Sequence, residues 1–429
     1  MSPNRNFRAP PEWPSLKNWL AEARSSGLRL FPSEVYQSPR VDHRILGKTI
    51  SVIADPIVAK QILANDAGHF GLTNLHKRTL KPALGDGIIV AEGMKWRIQR
   101  RIGHKIASLA VPELQSQAVT ERLSELINSL RNDPSFPSVS LLPHLTLAAI
   151  DVLVISMFKI AGFRVSPDVL ELIKQHRSII EDYDILDLFG LPFSVPSPKT
   201  IRAKRTLKTA SALVEREIHA WRQQNSLPDD LALSVTRDLV FSLLSGFESL
   251  TLTNYWALSE LADNPSLQDE IFGEVLTSNV AALDRGSKLD AVLHETMRLF
   301  PPLPMIFRQC KGGINTEVGN IAEGSIICIS PWIIHRNILN WEDASSFVPE
   351  RWSSDLSKNN PAYIPFGFGK RQCVGIGMTM PLLRQMISTL LRNFEFSVAG
   401  QSFPQPRSGI SLRPETELSF VLSPRNAST

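Results

Sequence analysis

The chain has 429 residues, 43% of them apolar and 21% charged, which excludes a disordered protein and leaves room for one large domain or two to three ordinary ones. Its formal net charge of +4 is small and spread along the chain, so no nucleic-acid partner is expected. Its three cysteines, Cys310, Cys328 and Cys373, are too few and too scattered for a disulfide framework, which points to a reducing compartment.

The N-terminal MSPNRNFRAPPEWPSLKNWL lacks the apolar run of a signal peptide or membrane anchor. KTISVIAD, from Lys48 to Asp55, has the β-branched alternation of a strand. KWRIQRRIGHK gathers Lys95, Arg97, Arg100, Arg101, His104 and Lys105, whose plain reading is a solvated helix face. From about Val111 to Leu299 apolar residues recur at spacings of three and four, with breaks at NDPSFPS, SVPSPK and SLPDD. Within this region Leu145 to Phe163 is long enough to span a bilayer, but Asp151 and Lys159 interrupt it, and it reads as a buried helix. A helix opening at Asp229/Asp230 can run to Asn264 without a proline. Gly246 inside it costs roughly 1 kcal/mol relative to alanine, so either something approaches the backbone there or the glycine packs at a helix crossing. Ser249 can bond back to a carbonyl one turn earlier and bend the helix. GSIICISP, from Gly324 to Pro331, reads as a buried strand. The expectation is one intertwined domain over residues 1–429, mainly α with minor β, its small sheet built from both ends of the chain. About the first 25 residues form an N-terminal segment without an anchor.

The stretch FGFGKRQCVG, residues 366–375, sets Cys373 among glycines and cations. One thiolate cannot hold zinc or an iron–sulfur cluster, and no second cysteine lies nearby. Either it is a small buried cysteine in a glycine-rich turn, or it is the sole protein donor to a metal held by a cofactor, as in heme. In the second reading Gly367, Gly369 and Gly375 permit positive backbone dihedrals and close approach to a flat ring, and Arg371 offers its fork to a propionate while Phe366 packs beside it. The apolar spacing from Val374 to Phe394 predicts a helix opening just after the cysteine, where an anion is favoured.

This stretch resembles the heme-binding signature of the cytochrome P450 family, matching its five fixed positions as Phe366, Gly369, Arg371, Cys373 and Gly375. Three further elements follow the family order: Glu295 and Arg298 in ETMR, Arg351 in FVPERW, and Trp96 and Arg100 in WRIQR. The resemblance covers the chain from about residue 30 to its end. It implies a helix-rich subdomain, a small β-rich subdomain and a long central helix over heme b. Cys373 is then the iron ligand, and Glu295, Arg298 and Arg351 form a structural group. Trp96, Arg100 and Arg308 join Arg371 at the propionates. Residue spacing agrees, since i,i+3 and i,i+4 pairs share a helix face.

The family's acid–alcohol pattern on the central helix reads Ser245, Gly246, Phe247, Glu248 and Ser249 here. Serine replaces the usual threonine, keeping a hydroxyl for proton relay while losing the β-branch that fixes it. The implied activity is monooxygenation: one atom of dioxygen enters a small hydrophobic substrate, with electrons from a redox partner. Glu248 and Ser249 relay protons, and the Lys95–Lys105 cluster docks an acidic ferredoxin or flavodoxin-like protein served by a reductase. Leu244, Phe247, Leu303, Met305, Ile306 and Ile410 would line the pocket, together with residues from about 72 to 90 and helices between about 179 and 213. A peroxide-using or isomerising relative is the first rival, opposed by the retained acid and hydroxyl. A non-catalytic heme-thiolate sensor is the second, in which that pair would be idle. The protein is expected to be a soluble, cytoplasmic monomer of bacterial type, unless an anchor preceding APPEWP has been removed.

Overall fold

The computed structural model describes residues 7–45, 47–65, 68–158, 171, 175, 197–206, 208–209, 242, 245–277, 286–353, 359–398 and 400–425. Several of its helices open on short polar side chains that accept from first-turn amides. Ser15 caps α1 (Leu16–Ser25), Asp55 caps α2 (Pro56–Ala64) and Thr73 caps α3 (Asn74–Leu84). After α4 (Gly93–Glu113), Ser116 caps α5 (Gln117–Arg131).

The apolar helix expected from Leu145 is α6 (Leu141–Phe158), opening four residues earlier; its expected last turn lies outside the described residues. It is long and apolar enough to cross a membrane, yet 78% of it is buried inside the protein, against α4, α5 and α7 (Gly246–Ala262). Apolar residues all round mark a helix enclosed by protein on every side. The proposed opening of the central helix at Asp229/Asp230 likewise falls outside the described residues, as does Leu244. Then follow α8 (Pro265–Thr277), α9 (Lys288–Leu299), α10 (Pro331–Ile334) and α11 (Ile376–Asn393), the last running from the cysteine loop to the C-terminal strands.

The two strands expected from distant parts of the chain lie side by side. β2 (Lys48–Ile53) pairs in parallel with β8 (Ile326–Ile329), Ile50 opposite Ile326 and Ile53 opposite Ile329. β1 (Arg40–Ile45) flanks β2, while β5 (Ile306–Cys310) and β3 (Phe70–Gly71) complete five strands in the order β1-β2-β8-β5-β3. Strands β6 (Ile314–Thr316) and β7 (Gly319–Ile321) form a small ribbon. β4 (Ser138–Ser140), β9 (Phe394–Ser397) and β12 (Ser419–Pro424) make a second sheet, and β10 (Pro406–Ser408) with β11 (Leu412–Pro414) makes a hairpin. Between helices and strands sit fully buried aromatics, among them Trp256 stacked on Phe300 at 4.3 Å between ring centres.

Candidate heme-thiolate site

The loop before α11 is shaped by two glycines in the left-handed region, Gly367 at φ 68° and Gly369 at φ 71°. A Cβ at Gly369 would stand 2.6 Å from the carbonyl oxygen of Leu63, so the loop lies against the end of α2 as only glycine allows. Gly375 departs from expectation: its φ is −89°, open to any residue. Its role is to donate its amide to the Cys373 sulfur and cap α11. The Cys373 amide donates to Phe366 O at 2.9 Å, closing the loop.

Burial raises the Cys373 thiol pKa, against the Gly375 amide and the charge of Arg100, which lower it. Yet the side chain is exposed, unlike Cys310 and Cys328, and all three are free. The sulfur is thus surrounded by protein mass yet reachable from outside it, unlike the two cysteines packed in the core.

Guanidinium groups gather near the cysteine loop, with Arg100 acting on the sulfur itself. Arg100 Nη1 donates to Gln372 O at 2.5 Å, tying α4 to the loop. Arg371 Nη2 donates to Ala91 O at 2.9 Å and lies 4.9 Å over the Trp96 ring. Arg308, buried on β5, donates to Phe307 O at 3.0 Å. Burial lowers the Arg100 pKa, with Cys373 and Arg371 close enough to act on it. His76 joins them, a residue that no pattern in NLHKR singled out. It bonds Ile89 O at 3.2 Å, and burial, reinforced by Arg308 and Arg371, brings its pKa down to about 4. One exposed sulfur, converging cations and open glycine backbone fit a flat, dianionic macrocycle carrying its own soft metal. Among the described residues no group of three His, Cys, Asp or Glu offers an independent metal site.

Behind the loop, Glu295 is wholly buried and accepts from Arg298 Nε and Nη2 at 2.8 Å and from Arg351 Nε at 3.1 Å. The sequence pattern foresaw that group but not its completion: the Val348 amide at 2.9 Å and Trp352 Nε1 at 2.8 Å also donate to Glu295. Arg298 spends its remaining donors on His335 O, Ala344 O and Ser346 O.

On α7, among the described residues, a Cβ built at Gly246 meets nothing within 4 Å beyond its own helix and chain neighbours. Ser249 is exposed, and among the described residues its hydroxyl forms no back-bond; Ser245 makes one to Ser242 O (2.6 Å), and Thr253 makes one to Ser249 O (2.9 Å). Glu248 is engaged as the sequence did not suggest: its Oε1 accepts from Ser411 Oγ at 3.0 Å and pairs with Arg413. Leu412 N donates to Pro302 O at 3.1 Å, joining the strand that follows Ile410 to the segment that carries Leu303, Met305 and Ile306. Leu303 is 45% exposed, whereas Met305, Ile306, Phe247 and Ile410 are half-buried. Of the pocket helices expected between 179 and 213, only residues 197–206 and 208–209 are described.

Fold and site together define a class, a helix-rich protein with a loop suited to a thiolate-held macrocycle. The sequence model of the cytochrome P450 family matches residues 8–245 and 229–421, and the chain belongs to that family. Cytochrome P450 714A2 of Arabidopsis thaliana is 26% identical over 417 residues, 85% of this chain and 77% of that protein. The protein LUTEIN DEFICIENT 5, chloroplastic, of the same plant is 26% identical over 82% of this chain, which spans 66% of its length. Geraniol 8-hydroxylase of Catharanthus roseus is 26% identical over 56% of each chain. The crystal structure of the cytochrome P450DA heme domain superposes with a TM-score of 0.79 at 16% identity, covering 98% of both chains, and shows the same fold. The chain is therefore a cytochrome P450 monooxygenase with a heme cofactor.

Proposed function

We propose that the chain is one heme-thiolate domain that holds heme b through Cys373 and oxidises a small hydrophobic substrate. The observation that carries this is the cysteine loop: a single exposed sulfur, supported by the Gly375 amide and ringed by Arg100 and Arg371. When bound, the heme supplies reductive activation of dioxygen. Cys373 would be its axial ligand, with Gly367 and Phe366 against the ring. Arg100, Arg308, Arg371 and Trp96 would hold the propionates, and His76 completes their polar wall. Ser249 offers an exposed hydroxyl to pass protons, and Glu248 offers Oε2, the carboxylate oxygen that its Ser411 and Arg413 contacts do not use. Phe247, Met305, Ile306 and Ile410 would present the apolar wall that selects the substrate.

Electrons would come from an acidic ferredoxin or flavodoxin-like protein docking on the exposed cations of α4. A soluble monomer is part of this reading, supported by the enclosure of α6 within the core. The test is the carbon monoxide difference spectrum of reduced, heme-loaded protein. A red-shifted Soret band in wild type that Cys373→Ala lacks is the expected result. Its absence from heme-replete wild type would overturn the assignment of Cys373.

A further inference from the structure

The ion pair between Glu248 and Arg413 joins two parts of the site that family motifs treat separately. Glu248 lies in the first turn of α7, and Arg413 lies on β11. The tie is one of three along a single stripe of α7. Trp256 Nε1 donates to Leu412 O at 3.0 Å, and Tyr255 Oη accepts from Leu418 N at 2.8 Å. Residues 248, 255 and 256 share a helix face, seven and eight positions apart. Glu248 is thus the first anchor of a stripe that holds the C-terminal hairpin and the segment after it to the central helix.

The hairpin closes between Ser408 and Leu412, leaving residues 409–411 as its turn, with Gly409 N donating to Ser411 O at 3.1 Å. On its β10 side the hairpin is held by Ser408 N, just before the turn, on Ser26 Oγ at 3.0 Å and by Arg407 Nε on Ser25 O at 2.7 Å. On its β11 side Glu248 of α7 holds Ser411, the last residue of the turn, and Arg413 two residues on, with Leu412 between them bound by Trp256. Both side chains of the pair are mostly withdrawn from water, 17% exposed for Glu248 and 13% for Arg413, so solvent screens it little. Ile410 occupies the middle of this turn.

We propose that Arg413 is a specificity-determining positioning residue: by holding Glu248 it fixes the 409–411 turn, and with it Ile410, against the pocket. The pair also leaves Glu248 Oε1 occupied, so the position of the apolar wall and the orientation of the acid are set by one contact. This inference rests on the heme-thiolate reading above.

The experiment measures affinities of heme-loaded wild type, Arg413→Gln, Arg413→Lys, Glu248→Gln and the double variant R413Q/E248Q. Two probes are titrated by their Soret shifts: imidazole, too small to reach the turn, and 4-phenylimidazole, whose ring extends from the iron into the pocket. Amide exchange at residues 409–411 is followed alongside. The expected result is a change of about three- to tenfold in phenylimidazole affinity with R413Q and E248Q, and faster exchange at the turn. Imidazole affinity stays within twofold, R413K lies between, and the double variant is no worse than either single one. Unchanged phenylimidazole affinity in folded R413Q, or effects that simply add in the double variant, would overturn the proposal. The carbon monoxide band of each variant separates the two readings: its loss from wild type discredits the heme-thiolate site, whereas its retention with a silent R413Q discredits the strap alone.

Discussion

Glu295 shows how a short motif becomes a structural commitment. Its carboxylate accepts from two arginines, an indole and a backbone amide while excluded from water, so the buried acid is compensated and each of its oxygens is saturated. Such a group contributes little net stability as a whole, but removing one member strands the rest. Glu295→Ala should therefore cost about 3–5 kcal/mol, read as a lowered urea midpoint; a loss below about 1 kcal/mol would mean water reaches Arg298. The spacing of Glu295 and Arg298 was readable because i,i+3 places both on one face. Trp352 and His335 were not, since their partners are brought by folding rather than by spacing. His335 is held neutral by two opposite demands: its Nε2 accepts from the Ile364 amide at 3.0 Å, so Nδ1 must donate to Arg298 O at 2.9 Å. Burial and nearby Arg298 and Arg336 bring its pKa down to about 3. The unfolded chain then binds a proton below about pH 6.5 that the native state refuses, so the stability present above that pH is lost as pH falls. Urea unfolding at pH 7.5 and 5.5 should show a loss of about 1 kcal/mol from this residue. In His335→Gln that component should vanish; an unchanged pH slope would assign it to another group.

At the scale of elements, the cysteine loop is a turn whose geometry depends on an unrelated helix. Gly369 is at positive φ, and a Cβ added to it would run into the backbone of Leu63 and Ala64 at the end of α2. An alanine there meets both a backbone clash and a strained dihedral, and neither neighbour is a side chain that can swing away. Gly369→Ala is expected to cost about 1–3 kcal/mol and to lower heme retention, measured as the heme-to-protein absorbance ratio after gel filtration. Gly375→Ala, at φ −89°, should retain heme nearly as wild type does, because the added methyl meets Met378 at 3.7 Å and the Cys373 sulfur at 3.9 Å, both ordinary contacts. Equal heme loss in both variants would show that the loop needs glycine for reasons other than φ. The signature itself was legible, but which of its glycines are conformationally required was not, because φ belongs to the folded loop. The β2–β8 pairing shows the converse: β-branched alternation marked both strands, and the parallel partnership between residues nearly three hundred apart follows only from the tertiary fold.

For the whole molecule, the net charge of +4 says less about partners than where the charge sits. On α4 the inner residue Arg100 is drawn to Gln372 O, which turns that helix so that Arg97, Arg101, His104 and Lys105 stay exposed. Lys370, in the cysteine loop, is exposed as well. The contact that ties Arg100 to the loop sets these exposed groups on the helix that packs against the cysteine loop, the face proposed above for docking. Cations crowded in KWRIQRRIGHK were visible in sequence, but the division between one inward and several outward groups came from packing. An acidic ferredoxin docking there should be steered by long-range attraction, so its affinity should fall steeply as ionic strength rises past 0.1 M, where screening reaches about 10 Å. Arg101→Glu reverses one exposed charge without touching Arg100 or Cys373. It should weaken partner binding about tenfold at low salt while leaving the carbon monoxide band intact, and the gap should narrow as salt is added. A partner whose affinity ignores both salt and Arg101→Glu must dock on another face.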